Sequence, residues 1–229
     1  MIAENIQRLR ERISAVCAEI KRDPGKITLV CVTKGRSLVE VEEAVRSGLR
    51  DIGENRVQEA LLKYNDMPQA ERAMLKWHMV GHLQSNKVKD AVKIFDLIHS
   101  VDSIDLTQEI NKQAAKINKV QDVLLEVKTS PENTKFGFSP EVVSNARRQM
   151  FQFSNIKVRG LMTIASLGDN PQASRPYFAQ LRKLRDELNP EWTLSMGMSD
   201  DFEVAIEEGA DIIRIGRAIF MGTFPKVPG

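Results

Sequence analysis

The fold is decided by the stretch Ile27-Thr28-Leu29-Val30-Cys31-Val32-Thr33-Lys34. Its apolar, β-branched part is too short for a helix and is typical of a strand that is covered on both faces. Ser37 and Glu40 follow with the spacing of a capping box, which predicts a helix beginning near Leu38. Lys34 is therefore expected at the carboxyl end of a strand, on rigid scaffold, facing the mouth of the sheet.

Lys34 has two interpretations at this position. A lysine in a loop between a strand and a helix is often a plain surface residue. A partly buried lysine, in contrast, can lose its proton, and the neutral amine can attack a carbonyl carbon to form a Schiff base. The rest of the chain has to decide between them.

Further strand-like runs follow the first one, and amphipathic helices alternate with them. The predicted strands are Ile27–Thr33, Leu49–Ile52, Lys76–Val80, Leu97–Val101, Val123–Val127, Val158–Ile164, Thr193–Met196 and Asp211–Ile215. An apolar stripe from Ile6 to Ile20 predicts an extra amino-terminal helix. The pattern matches a single-domain α/β fold, a (β/α)8 TIM barrel over residues 1–229. An open doubly wound sheet is the alternative, but no Gly-x-Gly-x-x-Gly motif follows an early strand.

Composition excludes several classes of protein. Lys and Arg total 33 against 31 Asp and Glu, without a basic block, so no nucleic-acid partner is expected. The apolar runs are strand-length and the amino terminus has no signal pattern, which argues against a membrane or secreted protein. Cys17 and Cys31 lack metal-type spacing and predict no disulfide framework. We therefore expect a soluble, cytoplasmic protein. Separately, a monomer is the expected oligomeric state.

Two loops carry the pieces of a phosphate site. In a TIM barrel a phosphate often lies beside the loops after strands seven and eight, and barrel closure brings these loops next to Lys34. Met196–Ser199 supplies a glycine and a hydroxyl before a helix, and Gly216 allows close backbone approach. As the alternative, Ser199 only caps that helix. The following Asp200-Asp201 would repel a phosphate unless both side chains point away.

Arg214 and Asn55 are further candidates. Arg214 interrupts an apolar strand, and because an unpaired buried charge is costly it needs an acidic partner or a ring nitrogen of a ligand. Asn55 follows the second strand and is either a plain N-cap or a residue that lines the mouth.

The third, fifth and sixth strands end in polar residues. His82 is interpreted either as a lining residue or as a structural hydrogen-bonding partner. His78 and His82 are four apart, but Gly81 and the missing adjacent glutamate argue against a zinc site. Thr163 and Ser166 end the sixth strand and are predicted to line the mouth. The long loop 129–137 is predicted to form a lid or a second wall.

Together, these segments resemble the pyridoxal-phosphate homeostasis proteins, also called the proline synthetase co-transcribed homologue family. The resemblance runs from about Ile27 to Phe220, nearly the whole chain. The segments that carry it are Val32–Lys34, Gly53–Glu59, Trp77-His78, Gly81–Lys87, His99–Ser103, Gly160–Thr163, Leu194–Ser199 and Arg214–Gly216.

The resemblance implies a fold similar to the barrel domain of alanine racemase, with Lys34 as the Schiff-base lysine for pyridoxal 5'-phosphate. It also implies a phosphate around Ser199 and Gly216, and Arg214 near the pyridine nitrogen. The expected cofactor-binding residues are Lys34, Asn55, His82, Thr163, Ser166, Met198, Ser199, Arg214 and Gly216. The family is thought to buffer and deliver the cofactor, so apo-enzymes that need it are the expected partners.

Two positions depart from the family pattern. The chain ends its last apolar turn with Ile219-Phe220-Met221-Gly222, where Ile-Phe-Gly is expected. Lys128 stands where an asparagine is more frequent. The first departure concerns the last turn and the second concerns loop contacts.

Two enzymes compete with the carrier function: an amino-acid racemase that uses pyridoxal phosphate, and a lysine Schiff-base aldolase that uses no cofactor. A racemase needs an acid/base group on each face of the substrate's Cα. In alanine racemase the second group is a tyrosine from another subunit's additional domain. This chain stops at Gly229, which leaves no room for that domain, and Tyr64 and Tyr177 fall in predicted helices. We therefore expect a non-catalytic cofactor-binding protein.

Overall fold

A closed barrel of eight parallel strands forms the centre of the molecule. The computed structural model describes residues 1–130, 136–166 and 170–224. The strands pair in chain order, and β8 pairs with β1 to close the barrel. They are β1 Thr28–Val32, β2 Asp51–Glu54, β3 Lys76–Met79, β4 Leu97–Val101, β5 Gln121–Glu126, β6 Ile156–Met162, β7 Thr193–Ser195 and β8 Ile212–Ile215. The predicted TIM barrel is confirmed.

Helices surround the barrel. Those in the described residues are α1 Ile2–Glu19, α2 Leu38–Arg46, α3 Val57–Asp66, α4 Gln69–Arg72, α5 Val88–Ile94, α6 Ile104–Ala115, α7 Pro140–Met150, α8 Arg175–Leu188, α9 Phe202–Glu207 and α10 Arg217–Met221. The predicted extra helix α1 buries its apolar face, including Ile6, Leu9 and Ile13, and packs against α2, α9 and α10. Burial of such side chains removes apolar area from water, so α1 is part of the core.

The second strand lies later in the chain than predicted. Leu49 belongs to the turn that ends α2, since its N–H donates to the Ala44 carbonyl and Gly48 has a φ of +88°. Leu49 is apolar because it packs in the core from this turn, not because it is in a strand. The strand instead covers Asp51–Glu54 and brings Glu54 into the barrel wall.

Alternate residues of each strand face opposite sides of the barrel wall. Cys31 and Ile213 belong to the large cluster that includes the helices, whereas Val30 and Ile212 belong to a small separate cluster. Arg214, two residues after Ile212, therefore faces the same side as Val30, the barrel interior. This placement explains how a cation interrupts an apolar strand.

The capping box after β1 is present as predicted. Ser37 N–H donates to Glu40 Oε2 at 2.9 Å, and the Ser37 hydroxyl accepts from Glu40 N–H at 3.4 Å. The helix α2 therefore starts at a fixed point, four residues after Lys34. At the other end of the chain the unusual last turn closes at Gly222, whose φ of +65° is left-handed.

Three further predictions concern membrane-spanning helices, the two cysteines and the loop 129–137. In the ranges 1–130, 136–166 and 170–224, no helix has the length and apolar character to span a membrane. Both cysteines are buried and unpaired. Residues 131–135 of the predicted lid loop lie outside the described residues.

Candidate functional site

A pocket of about 290 Å³ opens at the carboxyl ends of the strands. Its lining comes from the ends of β1, β2, β3, β6, β7 and β8 and consists of Val32, Lys34, Arg36, Asn55, Val80, Ile164, Met198, Ser199, Arg214, Gly216 and Arg217. Four of these residues are cationic, and among the described residues no carboxylate lines the pocket. Such a pocket selects an anionic ligand with an apolar portion.

The structure brings six of the nine predicted site residues together in this pocket. They are Lys34, Asn55, Met198, Ser199, Arg214 and Gly216. The pairing of β8 with β1 is the reason, because it places the loop after β8 beside Lys34 as expected. The predicted residues His82, Thr163 and Ser166 do not line it.

Lys34 lies at the predicted strand end but is exposed. The partial burial that the second interpretation of this lysine assumes is therefore not observed. Lys34 lines the pocket and is exposed, whereas the apolar lining residue Val80 is buried, so the lysine lies at the rim. An exposed amine at a rim has ready access to a ligand that enters from solvent.

Ser199 is not a helix cap. Helix α9 begins at Phe202 with Asp201 as its N-cap residue. The Ser199 hydroxyl instead accepts from Ala218 N–H at 3.3 Å and faces the pocket, which leaves its own proton available to a ligand.

The two aspartates after Ser199 do not line the pocket, and both have partners. Asp201 is buried and accepts from the Ser174 hydroxyl at 3.1 Å and from Met198 N–H at 2.7 Å. Burial raises the pKa of Asp201, and the Met198 and Ser174 bonds oppose that shift. Asp200 forms an ion pair with Arg217. Because both carboxyl groups have these partners, they repel a phosphate at this loop less than two free carboxylates would.

Two glycines let pocket loops approach neighbouring elements closely: Gly197, after β7, lies against α9, and Gly216, after β8, lies against β1. Gly197 has a φ of +93°, and a Cβ there would lie 2.5 Å from the Ala205 side chain. A Cβ on Gly216 would lie 3.2 Å from the Val32 carbonyl oxygen. Side chains at these two positions would strain or widen the pocket wall.

Arg214 is buried but has partners. Its guanidinium donates to Ser195 Oγ at 2.7 Å and to the Thr163 carbonyl at 2.9 Å. Burial lowers the pKa of Arg214 to about 10, and Asp201 and Glu126 oppose that shift. Arg214 therefore stays charged at neutral pH and is held in one orientation, with donors left over for a ligand.

A line of hydrogen bonds runs from Arg214 through the barrel interior. His99 Nδ1 lies 2.9 Å from Ser195 Oγ, His99 Nε2 lies 2.9 Å from His78 Nδ1, and His78 Nε2 lies 3.0 Å from Asp51 Oδ1. Burial lowers the pKa of His99 well below its usual range, so its ring is neutral.

The direction of this line follows from Arg214. A guanidinium can only donate, so Ser195 accepts from it and gives its own proton to His99 Nδ1. His99 then donates to His78, and His78 donates to Asp51. Sequence analysis did not find this network, because its members lie on β2, β3, β4, β7 and β8 and meet only inside the closed barrel.

Asn55 lines the pocket and carries an unsatisfied buried atom. Helix α3 starts at Val57 with Arg56 at the N-cap, so Asn55 is not the cap. Its Oδ1 is buried and has no hydrogen-bond partner in the described residues. Since an unpaired buried acceptor is costly, this atom is a place for a ligand donor.

His82 lies outside the cationic pocket and contacts two side chains, as a residue with a structural role would. Its Nδ1 lies 3.2 Å from Asp102 Oδ2, and its ring stacks on Phe136 with centroids 3.7 Å apart. Both residues line a neighbouring hollow with Ser85 and Leu106.

Thr163 supports the pocket from behind. Its hydroxyl donates to the Val127 carbonyl at 2.7 Å, and its own carbonyl accepts from Arg214. Thr163 is buried and does not line the pocket, and its carbonyl helps to orient Arg214. Ser166 is half-buried outside the pocket lining.

Arg36 and Arg217 are pocket residues that sequence analysis missed. Arg36 lies two residues after Lys34, pairs with Glu40 at 3.4 Å and lies over the Phe220 ring at 5.1 Å. Arg217 directly follows Gly216. Their positions in the sequence could have identified them, since each belongs to a loop that was predicted to form the site.

Comparison with known proteins identifies the family. The chain matches the family described as alanine racemase, N-terminal domain, over residues 1–224. It is 45% identical over 222 residues to the pyridoxal phosphate homeostasis protein of Aquifex aeolicus, covering 95% of this chain and 96% of that protein. The Escherichia coli K12 protein of the same name is 32% identical, covering 96% and 95% of the two chains. The chain belongs to the pyridoxal phosphate homeostasis protein family.

Solved structures agree with this family. PipY of Synechococcus elongatus PCC7942, solved with pyridoxal phosphate (PLP) bound, has a TM-score of 0.81 and 36% identity, covering 96% of this chain and 100% of PipY. Alanine racemase of Clostridium difficile 630 has a TM-score of 0.73 and 18% identity, covering 97% of this chain and 58% of the racemase. At that identity the likeness to the racemase shows the fold alone.

Glu126, at the end of β5, makes stability depend on pH. Burial raises the pKa of its carboxyl from 4.5 to about 7, Asp102 adds to the shift, and Arg214 opposes it. The folded protein therefore keeps a proton that the unfolded chain has lost. This stabilising contribution is complete below pH 4.5 and disappears as the pH rises through 7.

We predict that Glu126→Gln stabilises the cofactor-free protein at pH 8 but hardly at pH 5, because an amide imitates the protonated carboxyl at both pH values. The expected gain in the free energy of unfolding at pH 8 is up to about 3 kcal/mol. Urea unfolding at the two pH values measures it, with the exposed Glu191→Gln as control. Equal effects of Glu126→Gln at pH 5 and pH 8 would contradict the assignment.

Proposed function

We propose that this protein binds pyridoxal 5'-phosphate in the cationic pocket, joined to Lys34 as a Schiff base, and holds and delivers it in PLP homeostasis. One observation carries the proposal: the Lys34 amine shares its pocket with three arginines and with apolar walls. The family and the PLP-bound relative PipY support it.

The pocket residues fit the parts of PLP. When bound, PLP supplies an electrophilic aldehyde carbon, an aromatic ring with a nitrogen, and a phosphate. The Ser199 hydroxyl and the loop at Gly216 would hold the phosphate, with Arg36 and Arg217 supplying positive charge. Asn55 Oδ1, which lacks a partner in the described residues, would accept from the ligand.

The ring would lie between the apolar walls. Val32, Val80, Ile164 and Met198 supply these walls, and their burial of an aromatic ring is favourable. Arg214 would face the ring nitrogen from the inner side. Because a guanidinium donates and does not accept, it favours an unprotonated ring nitrogen, which weakens the ring as an electron sink.

The pocket favours holding the cofactor over racemisation. Within the described residues no histidine, tyrosine, cysteine or carboxylate lines it, so Lys34 has no acid/base partner on an opposite face. Tyr64 packs edge-on against Trp77 at 5.4 Å, and Tyr177 lies in α8 against the core.

Delivery follows from the exposed position of Lys34. A lysine at the rim can be reached from solvent, which allows the cofactor to leave toward apo-enzymes that require PLP. These partners, the monomeric state and the cytoplasmic location remain predictions.

We predict that borohydride fixes PLP on Lys34, because reduction converts the Schiff base to a stable amine on that residue. Lys34→Ala should lose the adduct while the fold persists, since the exposed side chain adds little to the core. Peptide mass mapping locates the adduct. Lys26 is an exposed lysine before β1, and Lys26→Ala is the matched control. In this variant Lys34 should still be labelled fully. A pyridoxyl group on another lysine, with Lys34 unmodified, would refute the assignment.

We predict that Ser199→Ala weakens PLP binding by about 1–3 kcal/mol, the scale of a hydrogen bond to a charged group. Pyridoxal without phosphate should bind more weakly and should be nearly insensitive to the change. Equilibrium titration measures both affinities, with the exposed Ser154→Ala as control. Equal affinities of the wild-type protein for the two forms would show that Ser199 is not at a phosphate site.

A further inference from the structure

A buried ion cluster lies behind Lys34. Lys63 of α3 is buried, and its Nζ donates to Glu54 Oε1 at 2.6 Å, to Glu59 Oε1 at 2.8 Å and to the Thr33 carbonyl at 2.6 Å. An ammonium has three protons, so each one has an acceptor here. None of these groups lines the cationic pocket.

The cluster holds the backbone on both sides of Lys34. Before it, Thr33 is fixed through its carbonyl by Lys63 and through its hydroxyl, which donates to Glu54 Oε1 at 2.5 Å. After it, Gly35 N–H donates to Glu59 Oε1 at 2.5 Å. The Lys34 side chain is exposed, yet the chain that carries it is attached at two points to one ion cluster.

The energetics of the cluster argue for a role in positioning. Glu54 Oε2 is buried without a hydrogen-bond partner in the described residues, and burial raises the pKa of this carboxyl even though Lys63 and Thr33 bond to it, so the ionised form of Glu54 is held at a cost. Buried ion pairs contribute little net stability compared with apolar residues of the same size. Gly35 has a φ of +69°, so the loop also needs external contacts to keep its shape.

We propose that Lys63 and Glu59 are positioning residues that set the Lys34 backbone so that its Nζ reaches the aldehyde carbon of the bound cofactor. The inference rests on the proposed function. The linkage forms one C=N double bond between Nζ and that carbon and releases the aldehyde oxygen as water, with the two protons coming from the amine. The rate at which two groups react depends on their relative placement, and a shift of about 1 Å can lower that rate about 100-fold.

The experiment compares two ligands that differ at the reacting carbon. PLP has an aldehyde there, and pyridoxine 5'-phosphate has an alcohol that cannot form a Schiff base. The variants are Lys63→Met and Glu59→Gln; the second keeps an acceptor for Gly35 and removes the charge that orients Lys63. The control is Glu42→Gln, which removes the ion pair with Arg46 on the neighbouring α2.

We expect Lys63→Met and Glu59→Gln to slow the formation of the borohydride-trapped Lys34 adduct by about ten- to 100-fold and to weaken the Schiff-base absorbance. The affinity for pyridoxine 5'-phosphate should stay within about twofold, because the phosphate and ring contacts are untouched. Glu42→Gln should behave as wild type for both ligands.

Two results would overturn the positioning role. Loss of pyridoxine 5'-phosphate affinity in parallel with adduct formation would show general damage to the pocket, and unchanged adduct formation in both variants would show that the cluster is not needed. If Lys63→Met does not fold, Glu59→Gln alone decides between these outcomes. A wild-type protein that forms no trapped Lys34 adduct would instead overturn the proposed function.

Discussion

The pairing of β8 with β1 is the constraint on which the site depends. Its register sets Arg214 opposite Val30 and Ile215 opposite Cys31, so both strands end at the same level of the barrel. The lysine that follows β1 and the glycine loop that follows β8 are neighbours for that reason. In an open sheet these two strands would lie far apart, and the amine and the anion-binding loop would not share a pocket.

The placement of charged side chains is the second feature that determines which ligand the pocket binds. Of the acids near the pocket, Asp201 bonds to Ser174 and Glu59 pairs with Lys63, whereas Asp200 pairs with Arg217, which itself lines the pocket. Arg36 is likewise shared with Glu40, while Lys34 and Arg214 form no ion pair within the described residues. Confined positive charges repel each other, and an anionic ligand relieves that repulsion, so the pocket gains from binding a phosphate.

The features that can be predicted from the sequence are those that depend on a single strand or a single loop. The apolar run at β1, the strand-end lysine and the glycine loops are local signals, and six of the residues predicted from them and from the family resemblance line one pocket. The histidine network depends on which side chains meet after closure, and no spacing reports that. In the Lys63 cluster only the i, i+4 pair with Glu59 is visible in the sequence, whereas Glu54 and the Thr33 carbonyl join it through the fold. Leu49 shows the same limit, because an apolar residue in a turn looks like the start of a strand.

A pocket that holds PLP on Lys34 without a second acid/base group should not racemise amino acids. This is tested by incubating the PLP-loaded protein with L-amino acids in heavy water and following deuterium at Cα together with optical purity. We expect the amino acids to stay optically pure. Formation of the D-enantiomer at ordinary enzymatic turnover, lost in Lys34→Ala, would contradict it.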